Sequence, residues 1–227
     1  LPGQTVESWE QTLMKAAELA PEHLSAYSLI IEEGTPFWSW YGEDANQTLR
    51  PKEMLPLPSE EDERRMYART REILEQYGYH RYEISNYAKD GYACRHNIGY
   101  WTGVEYLGLG LGASSLVGGK RFQVTADLNR YLVFTKEELA ARAQYEEIHE
   151  LSRQERMEEF MFLGLRMNEG VTRAAFEQSF GVPIEAVYLE TLRKLKEQGL
   201  LQMVAGRIAL TDKGMDLANY VMAKFLL

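Results

Sequence analysis

The sequence predicts an α/β fold followed by a smaller helical, winged-helix-like unit. Three observations carry this. In the front of the chain, capped amphipathic segments and short β-prone runs follow one another as helix, strand, long loop, helix, strand, the order of an α/β domain with a parallel sheet. From Ser152 on, three helical patterns precede a short hairpin and a final helix. Between the two lies residues 135–151, a polar, helix-prone segment that marks the expected boundary.

The first element is a helix opened by Thr5 as N-cap, with Val6, Trp9, Leu13, Ala16 and Ala17 on one face and a stop before Pro21. It follows Leu1-Pro2-Gly3-Gln4, which reads as the loop after a strand, so the chain is expected to start inside a larger fold. His23 to Ile31 is apolar and β-prone, and it predicts a buried strand closed by Glu33-Gly34 and Pro36. Residues 37–58 hold three of the seven prolines and little periodicity, which predicts an excursion over the surface. Ser59 then caps a helix with Glu60, Glu61 and Asp62 at its positive end and Met66, Thr70, Ile73, Leu74 and Tyr77 along one side, ended by Gly78. Arg81 to Tyr87 alternates as a strand does.

Leu107 to Ser115 is glycine-rich, but its G-x-G-x-G spacing departs from the dinucleotide fingerprint. It predicts a tight strand-edge segment whose missing side chains admit a ligand or a neighbouring backbone. Ser152 caps a helix carrying Met157, Phe160, Met161 and Leu165, and a short helix after Thr172 carries Phe176 and Phe180. Ile184 to Gln198 forms the third, a hairpin turns at Ala205-Gly206, and a last helix starts from Thr211.

Charge excludes some partners. The chain has 25 Lys and Arg against 34 Asp and Glu, a net charge of −9, and the excess acidity lies before Leu151. The predicted recognition helix sets Arg193, Lys194 and Lys196 against Glu185, Glu190 and Glu197, and the wing carries only Arg207. That is too little cationic surface for a duplex, so nucleic acid is not an expected partner. No apolar run reaches the roughly 18 residues of a membrane span, and the N-terminus lacks the order of a signal peptide, so the expected location is the cytoplasm.

One cysteine excludes a disulfide framework and cannot supply the thiolates of a protein-held iron–sulfur cluster or zinc site. His96 stands apart from His23, His80 and His149, which sit at element ends and read as structural. It lies in Cys94-Arg95-His96-Asn97-Ile98-Gly99-Tyr100-Trp101, an apparent aromatic and glycine-rich loop. A neutral imidazole ligates haem iron, with Tyr100 and Trp101 as flat apolar surface for a porphyrin. Alternatively, His96 and Asn97 tie the loop to its own backbone. Cys94 is an iron ligand as thiolate or a small buried hydrophobe. Glu32, Glu33 and Glu83 either face a ligand crevice or are solvated. No Ser-His-Asp order, HExxH or P-loop is present, so no catalytic residue is assigned.

The blocks SAYSLIIEEGTPF, YEISNYA, CRHNIGYW, YLGLGLGASS, FMFLGLRMNEGV and LTDKGMDLANYVM, in that order, resemble the HemN/HemW branch of radical S-adenosylmethionine (SAM) proteins, and more closely the HemW-type haem chaperones. The resemblance covers nearly all of the chain. It implies that residues 1–135 are the C-terminal part of an open TIM-like radical SAM barrel and residues 151–227 the family's C-terminal helical domain. It implies a haem-binding role for His96, Asn97, Tyr100 and Trp101, with His96 on the iron, and a place in the SAM pocket for Ile30 and Ser114. It also implies haem or porphyrin as partner, haem-acceptor proteins, and SAM with a [4Fe–4S] cluster in a complete protein.

The family's C-x-x-x-C-x-x-C cluster loop is absent here, so this chain is expected to generate no radical and to be the C-terminal portion of something longer. Whether a complete protein is an enzyme stays open. The rival readings are a fragment of an oxygen-independent coproporphyrinogen III oxidase, which decarboxylates propionates in porphyrin biosynthesis, and a non-catalytic interaction or winged-helix module.

Overall fold

The computed structural model describes residues 1–42 and 51–227. The chain divides into two compact units, Leu1–Cys94 and Arg95–Leu227. This division in packing falls earlier than the segment 135–151 singled out in the sequence.

In the first unit, α1 (Val6–Glu18) opens on Thr5, whose hydroxyl accepts the Ser8 backbone N–H while Ser8 answers the Thr5 N–H. This reciprocal cap satisfies two donors that the first turn leaves unpaired. The helix packs along α3 (Glu60–Gln76), capped by Ser59 as expected. Leu13, Ala17, Ile73, Leu74, Tyr79 and Tyr87 form the core between these helices and the sheet, and the Trp9 indole donates to Thr70 Oγ1 at 2.9 Å. A short helix, α2 (Pro36–Tyr41), interrupts the predicted excursion; residues 43–50 of that excursion lie outside the described residues.

The sheet differs from expectation. Strand β1 covers only His23–Ser25, and Tyr27, Leu29 and Ile30 beyond it are exposed, so the predicted long buried strand is a short strand followed by irregular chain. Arg81 to Tyr87 is not one strand but a hairpin, β2 (His80–Glu83) and β3 (Asn86–Ala88). The cause is Glu83, fully buried, whose Oε1 accepts the Ser85 N–H at 2.7 Å and the Asn86 amide at 2.6 Å, folding the chain back on itself. The order is β1-β3-β2 with both ladders antiparallel. β1 and β2 therefore run in the same direction, as the alternation predicts, but β3 lies between them in place of direct parallel pairing.

The second unit begins with α4 (Arg95–Trp101), so the stretch predicted as a loop is a two-turn helix. Gly103, at φ +70°, ends it, and the Val104 N–H returns to the Gly99 carbonyl. The glycine-rich segment then leads into an antiparallel sheet β4-β5-β6 (Ser114–Val117, Lys120–Val124, Tyr145–Glu150). Gly108 is required there because a Cβ would stand 2.2 Å from the Ser114 carbonyl oxygen, so at this position the missing side chain admits a neighbouring backbone. Short helices α5 (Leu128–Val133) and α6 (Lys136–Ala140) connect β5 to β6.

From Ser152 the predicted elements appear in order: α7 (Arg153–Gly164), α8 (Arg173–Phe180), α9 (Glu185–Glu197), and the hairpin β8 (Leu201–Val204) and β9 (Arg207–Leu210) turning at Ala205-Gly206. A two-residue strand β7 (Val171–Thr172), not foreseen, pairs with β9 to make a three-stranded wing, β7-β9-β8. The last helix breaks at Leu217 into α10 (Asp212–Asp216) and α11 (Ala218–Ala223). Met161, Leu165, Phe176, Ile184, Tyr188, Ile208, Val221 and Phe225 are fully buried in this part, with Phe176 in ring contact with Phe160, Phe180 and Tyr188.

Candidate functional site

Helix α4 divides the predicted site residues between two faces. His96 and Tyr100, four apart, lie one above the other. Asn97 and Trp101 share the next face in the same way. The His96 ring is exposed and meets the edge of Tyr100 with centroids 4.6 Å apart; Tyr100 in turn meets Tyr106 edge-on, also at 4.6 Å. Tyr106 is fixed by a pair of backbone hydrogen bonds to Leu116 of β4, both 2.9 Å. A row of three rings anchored on a sheet edge thus holds the imidazole at the surface. Tyr106 was not singled out in the sequence; its place beside Tyr100 depends on the β4 pairing, which no local spacing announces.

The other three histidines each have a polar partner. His23 Nε2 lies 2.9 Å from Tyr82 Oη, His80 Nε2 lies 3.7 Å from Asp90, and His149 Nε2 lies 2.7 Å from Glu155. Among the described residues His96 makes its ring contact with Tyr100 and no hydrogen bond or ion pair. The alternative in which His96 ties down its own loop is therefore not what the geometry provides. Neither ring nitrogen has a hydrogen-bond partner among the described residues, and a neutral imidazole is a good donor to iron.

Trp101 does not flank His96. Its ring lies beneath the Arg166 guanidinium, 4.2 Å from carbon to centroid, and its indole nitrogen is buried with no hydrogen-bond partner. Arg166 follows α7, and no local pattern pairs it with Trp101. Half-buried Asn97 lies on the Trp101 side.

Ile30 and Ser114 fall in different units. Ile30, 74% exposed, lines a cavity of about 670 Å³ in the first unit together with Trp9, Ser25, Tyr27, Leu29 and Met66. Ser114 is exposed at the start of β4, while its neighbour Ser115 is fully buried and accepts the Gly108 N–H at 3.0 Å. Glu32 and Glu33 are exposed, and Glu83 holds the β2–β3 turn. Cys94 is half-buried. With one cysteine in the sequence, and no cluster of three metal-binding side chains among the described residues, this chain does not fit the ligand set of an iron–sulfur cluster.

Residues 151–217 match the HemN C-terminal domain family. Over its whole length the chain is 38% identical to the heme chaperone HemW of Lactococcus lactis subsp. lactis (strain IL1403), over 227 residues, and 36% identical to that of Bacillus subtilis (strain 168), over 226 residues. These matches support a HemW-type reading of the chain. The chain spans about half the length of these HemW relatives, covering 56% of each. The chain also shares its fold with a solved structure of coproporphyrinogen III oxidase (HemN) from Escherichia coli, with a TM-score of 0.70 and 22% identity, covering all of this chain and 52% of that one. The α/β class read from the sequence is thus the class of the matching HemN region. Among the described residues no helix is long and apolar enough to cross a membrane.

Proposed function

We propose that this chain binds haem through His96 and, within a longer HemW-type protein in the cytoplasm, takes part in passing it to acceptor proteins. One observation carries the reading: of the four histidines, His96 alone is left without a polar partner among the described residues, on a helix that presents it beside Tyr100. Haem is here cargo. The imidazole supplies an axial nitrogen, and Tyr100, held against Tyr106, gives the flat surface against which a macrocycle packs. A cargo site of this kind needs an exposed, exchangeable ligand rather than a sealed pocket. Trp101 acts from the neighbouring face as a support of α4, packed under Arg166, and Asn97 lies on that same face.

Ile30 and Ser114 belong, on the same reading, to SAM binding in the longer protein; the cavity that Ile30 lines has room for such a ligand. No cluster chemistry is assigned to this chain, whose only thiol is Cys94. For the same reason the coproporphyrinogen oxidase reading, which requires a SAM-derived radical, gains nothing from these residues. Nor does the nucleic-acid reading gain from α9 and the wing, where Arg193 spans Glu190 and Glu197 and Arg207 meets Glu169 at 3.0 Å.

Titration of the purified chain with haemin tests the proposal. A saturable shift of the Soret band is expected, weakened by about tenfold or more in His96→Ala and little changed in Trp101→Phe. Equal titrations of the parent chain and His96→Ala would reject His96 as the ligand.

A further inference from the structure

A second cavity, wholly within the Arg95–Leu227 unit, is unrelated to the exposed face of His96. Its volume is about 480 Å³, within the range of roughly 300–1,000 Å³ usual for small-ligand pockets. Leu116, Leu151, Phe160, Leu163, Val171 and Phe180 make its walls apolar, and Trp101 closes one side. Its floor is fixed by two glycines. A Cβ on Gly164 would meet the Val171 methyl Cγ1 at 2.3 Å, and one on Gly170 would meet the Ile208 carbonyl oxygen at 2.0 Å, so α7 already lies against the Val171 side chain and the chain at Gly170 against the β9 backbone. The space therefore cannot close by collapse of that side.

Three charged side chains line it: Glu105, Arg156 and Glu159. Both Glu159 oxygens are taken by Arg121, at 2.8 and 3.1 Å, and Glu105 accepts the Gly118 N–H at 2.6 Å. Among the described residues the exposed Arg156 guanidinium has no hydrogen bond or ion pair, which leaves it the one charged side chain of the lining without a protein partner.

We infer that this cavity is a binding site for a small amphipathic monocarboxylate, its apolar body against Phe160, Leu163 and Val171 and its carboxylate on Arg156. A guanidinium fork matches a carboxylate through two parallel hydrogen bonds. Glu105 and Glu159 nearby disfavour a doubly charged phosphate head. The apolar walls supply affinity and the single cation supplies orientation. The inference stands apart from the haem reading and shares none of its ligating residues.

Calorimetric titration of the chain with decanoate, and in parallel with decanol, tests it. Decanoate binds saturably with one site and about tenfold more tightly than decanol. Arg156→Gln brings decanoate down to the decanol affinity; Ala175→Phe, which fills the cavity, abolishes both; and His96→Ala changes neither. Ser179→Trp, an exposed position at the lining, blocks the site without touching the core and replaces Ala175→Phe should that variant lose its cooperative melt. Non-saturable uptake, equal affinity for the acid and the alcohol, or an unchanged decanoate affinity in Arg156→Gln would overturn the site.

Discussion

Two parts of one unit use their apolar residues in opposite ways. From Leu151 onward the chain buries them: Phe176, Leu165, Ile184, Ile208, Val221 and Phe225 are inaccessible, and rings interlock around Phe176. Between Arg95 and Phe134 it exposes them: Leu109 is 85% accessible, Leu132 70% and Val133 72%. The first part is held by its own core, the second by backbone pairings such as Tyr106 with Leu116 and by close approaches such as Gly108. A surface imidazole, exposed rings and a tightly turned backbone are what a ligand-handling segment offers; a dense core is what carries it.

The contrast is sharpened most by truncating Phe176. Phe176→Ala should destabilise the chain by about 3–5 kcal/mol, whereas Leu109→Ala should change stability by less than about 0.5 kcal/mol, both read from denaturant midpoints. Comparable losses at the two positions would erase the distinction. Next comes Gly170→Ala, where φ is +61° and the new Cβ faces Ile208: a loss of about 2–4 kcal/mol is expected. The open Gly110, with φ +103° and nothing within 4 Å, should cost less for the same change.

Smaller still is the cap of α7. The Ser152 hydroxyl accepts the Glu155 N–H, and the Glu155 carboxylate accepts the Ser152 N–H at 2.8 Å. Ser152→Ala should cost about 1 kcal/mol. The backbone N–H of Ser152 first, then its hydroxyl and His149, hold the Glu155 carboxyl down at about 2. Since this value lies below that of an unfolded glutamate, the stabilisation is complete above about pH 4.5 and fades as pH falls toward 2. A series of denaturant midpoints from pH 5 to pH 2 should therefore fall less steeply in Glu155→Gln than in the parent chain.

How far the sequence could be read followed the same division. Local signals sufficed where a helix owns its cap and its apolar stripe: Thr5, Ser59, Ser152 and Thr172 each cap the helix expected of them, and the Ala205-Gly206 turn sits where two positive φ angles are required. They failed where structure depends on distant partners. HLSAYSLII has the composition of a long strand but finds pairing only for its first three residues. RYEISNY alternates, yet buried Glu83 bends it. CRHNIGYW looks like a loop because of Gly99 and its aromatics, but it forms α4, which separates His96 from Trp101 by one face. In the candidate site, exposed His96 and neighbouring Tyr100 were legible; Tyr106, Arg166 and the second role of Trp101 arise from tertiary packing and were not.

The central claim is that His96, and no other side chain of this protein, takes the iron of haem. The direct measurement is the absorption and electron paramagnetic resonance spectrum of the haemin complex in four single variants, His23→Ala, His80→Ala, His96→Ala and His149→Ala. The account predicts that three spectra match that of the parent chain and that only His96→Ala loses the nitrogen-ligated signature. An unaltered spectrum in His96→Ala, or the same loss in one of the other three, would contradict it.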